Sequence, residues 1–214
     1  MTAGGRRPRR DAEANRERLL AAAVTAMLRE GRGVPLATIA AEAGVGVGTL
    51  YRKYPDRQAL LHALEYRAYG LLVDMLGDID ELRCSGLEAV QEYLRRNVEV
   101  GDQLVLPLHG APPLMSVEAV GARGEIYRYL DGFLARGRED GSIRADVNAT
   151  DVIAFGALIT QPLSFGPRWP RMAERQIALF LNGLAVVGVV GLGDGIRRED
   201  IEDAFAPQSG LRGP

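Results

Sequence analysis

Between residues 31 and 56 the chain is punctuated so closely that only short helices fit. Gly31-Arg32-Gly33-Val34 reads as a turn, Pro35 suits the start of a helix, and the stretch Leu36–Ala43 is stopped by Gly44. Gly44-Val45-Gly46 is a second tight turn. Val47–Tyr54 then forms a third helix that Pro55 ends, because proline disfavours helical geometry in the preceding residue and has no N–H to donate. The spacing of Leu20, Val24, Met27 and Leu28 predicts a helix of about five turns from Asp11 to a cap at Gly31. Asp56 leads another long helix containing Leu60, Leu61, Leu64 and Leu71. Two short helices across a glycine turn, buttressed by a longer helix on each side, make a helix-turn-helix pattern. The inward residues of its first short helix are Leu36, Ile39, Ala40 and Ala43.

Net charge is only −2, but it is unevenly spread. Residues 1–60 hold 11 Arg or Lys against 6 Asp or Glu, whereas residues 61–214 hold 15 against 22. A basic front on a more acidic body suggests a nucleic acid or another acidic surface as partner, with an ordinary solvated tail as the alternative. Residues 1–10 carry Gly, Pro and Arg without periodicity and are expected to form a mobile basic arm. Such an arm either adds affinity for a nucleic acid, entering a minor groove, or is simply solvated. All basic residues but Lys53 are arginine, which the nucleotide composition of the gene can explain.

The single cysteine, Cys84, permits no intramolecular disulfide, and no apolar stretch of signal-peptide type opens the chain. The arginines at 6, 7, 9 and 10 run into the polar segment Asp11–Arg18, which argues against a twin-arginine signal. The expected compartment is the cytoplasm. Gln176–Leu192 falls short of the ~20 apolar residues a membrane span needs and contains Asn182, Gly183, Gly188 and Gly191, so a buried helix is expected and no membrane partner.

From Arg18 to Leu61, and above all in AGVGVGTLYRKYPDRQAL, the sequence resembles the DNA-binding domain of the TetR family of transcriptional regulators. GSIRADVNATD, Gly141–Asp151, is similar to a connector that precedes the penultimate long helix of many members. The resemblance implies an all-α fold: an N-terminal three-helix helix-turn-helix DNA-binding domain, joined by a long helix to a helical ligand-binding and dimerisation domain. The domains are then a basic arm (1–10), the DNA-binding domain (11–56), the effector-binding and dimerisation domain (57–205) and a flexible tail (206–214).

At ~100° per residue, Gly48, Thr49, Arg52 and Lys53 share one side of the third helix, and Val47, Leu50, Tyr51 and Tyr54 the other. The first side has the chemistry of a reading face. Gly48 lets the backbone approach closely, Arg52 offers a bidentate fork to guanine, and Thr49 and Lys53 can hold phosphates. Leu50 is expected to lock the helix to the core. The resemblance implies that Thr49, Tyr51 and Lys53 contact phosphates, that Val47, Gly48 and Arg52 face bases, and that Arg57 clamps the DNA backbone. Tyr51 admits two readings, a packed ring with its hydroxyl at the rim or a phosphate contact. Pro35 stands where many members have a capping Ser or Thr that touches phosphate, and Thr38 is the candidate substitute.

One short recognition helix reads few bases, so a homodimer on a near-palindromic double-stranded operator is expected. The candidate seam is the helix pair Ala149–Leu163 and Arg171–Val190, with Ile153, Ala157, Phe180, Leu184, Val187 and Gly188. Asn148 followed by Asp151 gives the first of these a capped start. Further helices are read at Leu87–Gly101, Gln103–His109 and Ser116–Arg138, interrupted by Ala111-Pro112-Pro113. The resemblance implies that these middle helices enclose a small-molecule effector whose binding moves the long fourth helix and the DNA-binding heads. His109, Met115, Tyr127, Phe155, Gln161 and Trp169 are the candidate lining, each competing with a core or surface role, and the apolar tone favours a hydrophobic or aromatic ligand.

Enzyme chemistry finds little footing. His62, His109 and Cys84 have no zinc-site spacing, no phosphate-binding GxxxxGK[ST] loop is present, and Gly44-Val45-Gly46-Val47-Gly48 lies between helices, where it serves as a turn. No catalytic residue, metal or cofactor is expected. The leading function is a ligand-responsive dimeric regulator, usually a repressor. The alternatives are a basic-headed helical module binding an acidic protein or membrane surface, and a constitutive repressor without an effector.

Overall fold

The computed structural model describes residues 7–104, 116–160, 168–185, 195 and 197–205. Every regular element among them is helical: α1 (Arg7–Glu30), α2 (Leu36–Glu42), α3 (Val47–Lys53), α4 (Arg57–Glu81), α5 (Gly86–Glu99), a 3₁₀ turn (Gly101–Leu104), α6 (Val117–Glu139), α7 (Ala149–Ile159), α8 (Trp169–Leu184) and α9 (Arg198–Phe205). The chain divides into two compact units between Arg67 and Ala68, inside α4.

In the first unit, α1 buries Leu19, Leu20, Ala23 and Met27 at helical spacing, and α2 buries Leu36, Ile39 and Ala40. Gly31 ends α1 in the left-handed region (φ 86°), where glycine carries no Cβ penalty, and its N–H donates to Met27 O at 2.8 Å. Gly44 (φ 66°) does the same after α2. Asp56 caps α4, its Oδ1 accepting the Ala59 N–H at 2.7 Å. The structure starts α1 at Arg7 rather than at the Asp11 suggested by the sequence signals. Pro8 is compatible with that, because the first turn of a helix needs no donated N–H.

In the second unit, Phe133, Leu130 and Leu134 of α6 pack in one core with Leu94 of α5 and Leu76 and Ile79 of α4. Ser85 and Glu88 form a reciprocal capping box at the start of α5, and Asn148 and Asp151 form another at α7. α5 approaches α6 through glycine: a Cβ on Gly86 would lie 2.2 Å from Phe133 O and 2.3 Å from Gly137 N. Phe155 of α7 stacks on Phe180 of α8 with ring centroids 4.1 Å apart.

Several boundaries differ from the sequence reading. α8 begins at Trp169 with Pro170 in its first turn and ends at Leu184, where Ala185 turns extended (ψ 150°); residues 186–190 of the sequence reading lie outside the described residues. The Leu184 carbonyl is taken there by the Arg144 N–H at 2.9 Å. In place of a helix from Gln103, a 3₁₀ turn ends at Leu104, and residues 105–109 of that reading lie outside the described residues. α9 had no counterpart in the sequence reading; Glu199 and Asp200 in its first turn suit the positive end of a helix, and Asp200 accepts the Arg197 N–H at 2.7 Å.

Candidate nucleic-acid interface

α3 is held by a single stripe. Leu50 is fully buried and Tyr54, four residues on, is nearly so. The angular reading also turned Val47 and Tyr51 inward, but the structure leaves them 41% and 48% exposed. A two-turn helix resting on its neighbours through Leu50 and Tyr54 cannot bury the flanking positions as well. Of the two readings of Tyr51, the structure therefore has the ring out. Gly48, Thr49, Arg52 and Lys53 are exposed too. A Cβ on Gly48 would meet nothing within 4 Å, so no neighbour inside the chain demands glycine there.

The charges around α3 are sorted by their partners. Arg29 of α1 pairs with Glu42 of α2 at 3.0 Å, Arg16 with Glu13 at 3.5 Å, and Arg67 with Glu17. Among the described residues Arg52 has no hydrogen-bond or ion-pair partner, so its guanidinium faces outward with all five donors available. Partial burial holds the Lys53 ammonium below the usual lysine pKa, and the Arg16 charge lowers it further while Glu13 opposes. Burial pushes the Tyr54 phenol up.

Thr38 sits half-buried in the first turn of α2, its N–H donating to Pro35 O at 3.0 Å, and Pro35 supplies no side-chain cap. Arg57, the first residue of α4, is turned inward. Its Nη1 donates to Arg32 O at 2.7 Å and its Nη2 to Gly33 O at 3.3 Å and to Val34 O.

The sequence candidates of the second unit are dispersed. The Tyr127 hydroxyl lies 3.3 Å from Thr150 Oγ1, beside a polar cavity of about 410 Å³ whose lining includes Arg128, Asp131, Asn148, Arg197 and Arg198. Phe155 spends its ring on Phe180, and Trp169 packs on the core. His109, Met115 and Gln161 lie outside the described residues, as do Val187 and Gly188. Of the remaining seam candidates, Ile153, Ala157 and Phe180 are half-buried, while Leu184, 3% exposed, belongs to its own core. Sequence reasoning missed Leu158 and Leu179 on the same two helices, which are 68% and 55% exposed. Leu179 carried a signal, an apolar residue among the exposed Arg175 and Asn182 of α8, whereas α7 is apolar all round after its first turn and gave none for Leu158.

Residues 19–64, from α1 into α4, match the family model of bacterial regulatory proteins of the tetR family. A TetR transcriptional regulator from Streptomyces coelicolor is 31% identical, covering 81% of this chain and 99% of its own, with a TM-score of 0.57. The chain belongs to the TetR family. A second TetR regulatory protein, from Mycobacterium vanbaalenii, is 29% identical over 83% of this chain and 99% of its own, at a TM-score of 0.57. A TetR-family protein from Rhodococcus RHA1, 16% identical over 81% of this chain and 98% of its own, shares the fold at a TM-score of 0.64. No curated protein matches the chain. As a TetR-family member the protein is a DNA-binding transcriptional regulator rather than an enzyme. Among the described residues no helix is long and apolar enough to cross a membrane.

Proposed function

We propose that this TetR-family regulator is a homodimeric repressor that reads a palindromic operator through α3 and leaves it when a small-molecule effector binds. The observation that carries the reading is the outward presentation of α3, with Arg52 lacking any partner among the described residues. Arg52 forks onto a guanine, Val47 and Gly48 lie against base edges, and Thr49, Tyr51, Lys53 and Thr38 take phosphates. Residues 11–56 form the DNA-binding head and residues 57–205 serve effector binding and dimerisation, although Arg57–Arg67 belongs to the first compact unit. The place of action is the cytoplasm.

Selection of duplexes from a random pool at one fixed salt concentration tests this reading. Wild type is expected to recover a palindrome. Arg52→Ala is expected to relax one symmetric position of it, with a loss of about 1–3 kcal/mol of discrimination. Enrichment of no sequence by dimeric protein sinks the reading and favours a head that binds acidic surfaces without base preference.

Dimerisation through α7 and α8 is supported by the exposed Leu158 and Leu179, with Ile153 and Ala157 beside them in sequence. Introducing Leu158→Glu and Leu179→Glu together is expected to turn a sedimenting dimer into a monomer; a dimer that survives both charges places the seam elsewhere. Effector response is supported by class. AibR, which shares this fold at 18% identity, was crystallised with isovaleryl coenzyme A and operator DNA, and KstR2 of Mycobacterium tuberculosis, at 19% identity, is a ketosteroid transcriptional regulator. Tyr127, Phe155 and Trp169, with His109, Met115 and Gln161, are the residues we assign to a largely apolar effector.

A further inference from the structure

The turn between α1 and α2 holds three successive carbonyls, those of Arg32, Gly33 and Val34, on which no described backbone hydrogen bond ends. Arg57 supplies their donors, spending three of the five N–H groups of its guanidinium, and no carboxylate among the described residues joins in. The position is electrostatically costly in another respect. A cation in the first turn of a helix opposes the macrodipole, so the three carbonyl dipoles are what hold this charge in place. The turn so captured runs directly into Pro35 and α2, and α2 hands the chain to α3 through Gly44-Val45-Gly46.

We propose that Arg57 is a positioning residue, whose guanidinium fastens the α1–α2 turn to the start of α4 and thereby fixes the angle at which α2 presents α3 to DNA. The inference rests on the regulator reading above and departs from the phosphate clamp that family resemblance implies for this position. The two roles make different demands. A phosphate accepts a point charge, so lysine would serve; three carbonyls from three residues need the planar fork, which lysine lacks.

The test uses the full chain as wild type, Arg57→Lys and Arg57→Gln, below the melting temperature of every variant. Each is titrated over a series of salt concentrations with the selected operator duplex and with an unselected duplex of equal length. Hydrogen exchange is followed in the DNA-free protein. Both variants are expected to bind the operator about tenfold more weakly, as for loss of one good base contact. Their affinity for the unselected duplex and their salt slope should stay those of wild type, and the Val34 and Thr38 amides should exchange faster. The proposal is overturned if Arg57→Lys behaves as wild type while Arg57→Gln weakens both duplexes alike and loses about one unit of salt slope, the signature of a phosphate contact. It is equally overturned if neither variant changes the ratio of operator to unselected affinity, the result of a merely structural role. Should wild type fail to discriminate between the duplexes, the regulator reading fails by itself. Unaltered exchange at Val34 and Thr38 in Arg57→Lys would then still overturn the tie.

Discussion

Gly86→Ala is expected to lower the stability of the second unit by about 3 kcal/mol or more, at the severe end of overpacking. The added methyl would lie 2.2 Å from the Phe133 carbonyl oxygen, 2.3 Å from Gly137 N and 2.7 Å from Gly137 Cα, all backbone atoms. No rotamer change relieves such a contact; α5 and α6 must separate, and the cavity so opened falls beside the fully buried Phe133. Urea unfolding followed by circular dichroism measures the loss. Gly121, an exposed α6 glycine whose Cβ would meet nothing within 4 Å, provides the control. Alanine there removes the backbone-entropy cost of a helical glycine and touches nothing. A Gly86→Ala midpoint as high as that of the control would mean that the two helices do not approach as closely as described.

Leu50→Ala is expected to cost the first unit about 2–5 kcal/mol, the range for emptying a leucine-sized space in a packed core. Leu50 is the fully buried anchor of α3, and its carbonyl accepts the Tyr54 N–H at 2.8 Å where the helix closes. A seven-residue helix is far below the length that is stable without tertiary support, so loosening the anchor releases the whole reading face. Hydrogen exchange should rise through α1–α3 and leave α5 and α6 unchanged, and selective duplex binding should disappear. Retained selectivity with unchanged exchange would show that α3 is held by something other than Leu50.

Features set by neighbours along the chain are legible in the sequence, and those set by distant backbone are not. Leu50 was legible as the lock of the third helix because Gly46 and Pro55 leave room for one inward leucine between them. The Asn148–Asp151 cap was legible because its chemistry is local. Gly86 was not, since the partner that requires it is the backbone of α6 at Phe133 and Gly137, far along the chain and without a side-chain signature. The same holds for Arg57: its partners are carbonyls, which every residue has. The 100° rule put Val47 and Tyr51 on the inward arc, where the structure has only Leu50 and Tyr54, because it cannot say how narrow the contact of a two-turn helix is. Leu184 looked like a seam residue because an apolar residue near a helix end has the same pattern whether its own core or a partner buries it. The effector lining was the least legible part, since it depends on which middle helices face one another and Phe155 is already engaged by Phe180.

Lys53 is the only lysine in the chain, and it stands exposed on α3. Any reagent that acts on ε-amino groups, whether an acetyl donor or an activated ester carrying a dye, therefore has one side chain to attack. Partial burial and Arg16 also keep that amine nearer its unprotonated, nucleophilic form than an ordinary lysine. Acylation there would erase one positive charge from the surface assigned to the operator. The chain thus offers one lysine side chain for acylation, on α3, and on the proposed reading labelling and the occupation of DNA would compete for that nitrogen.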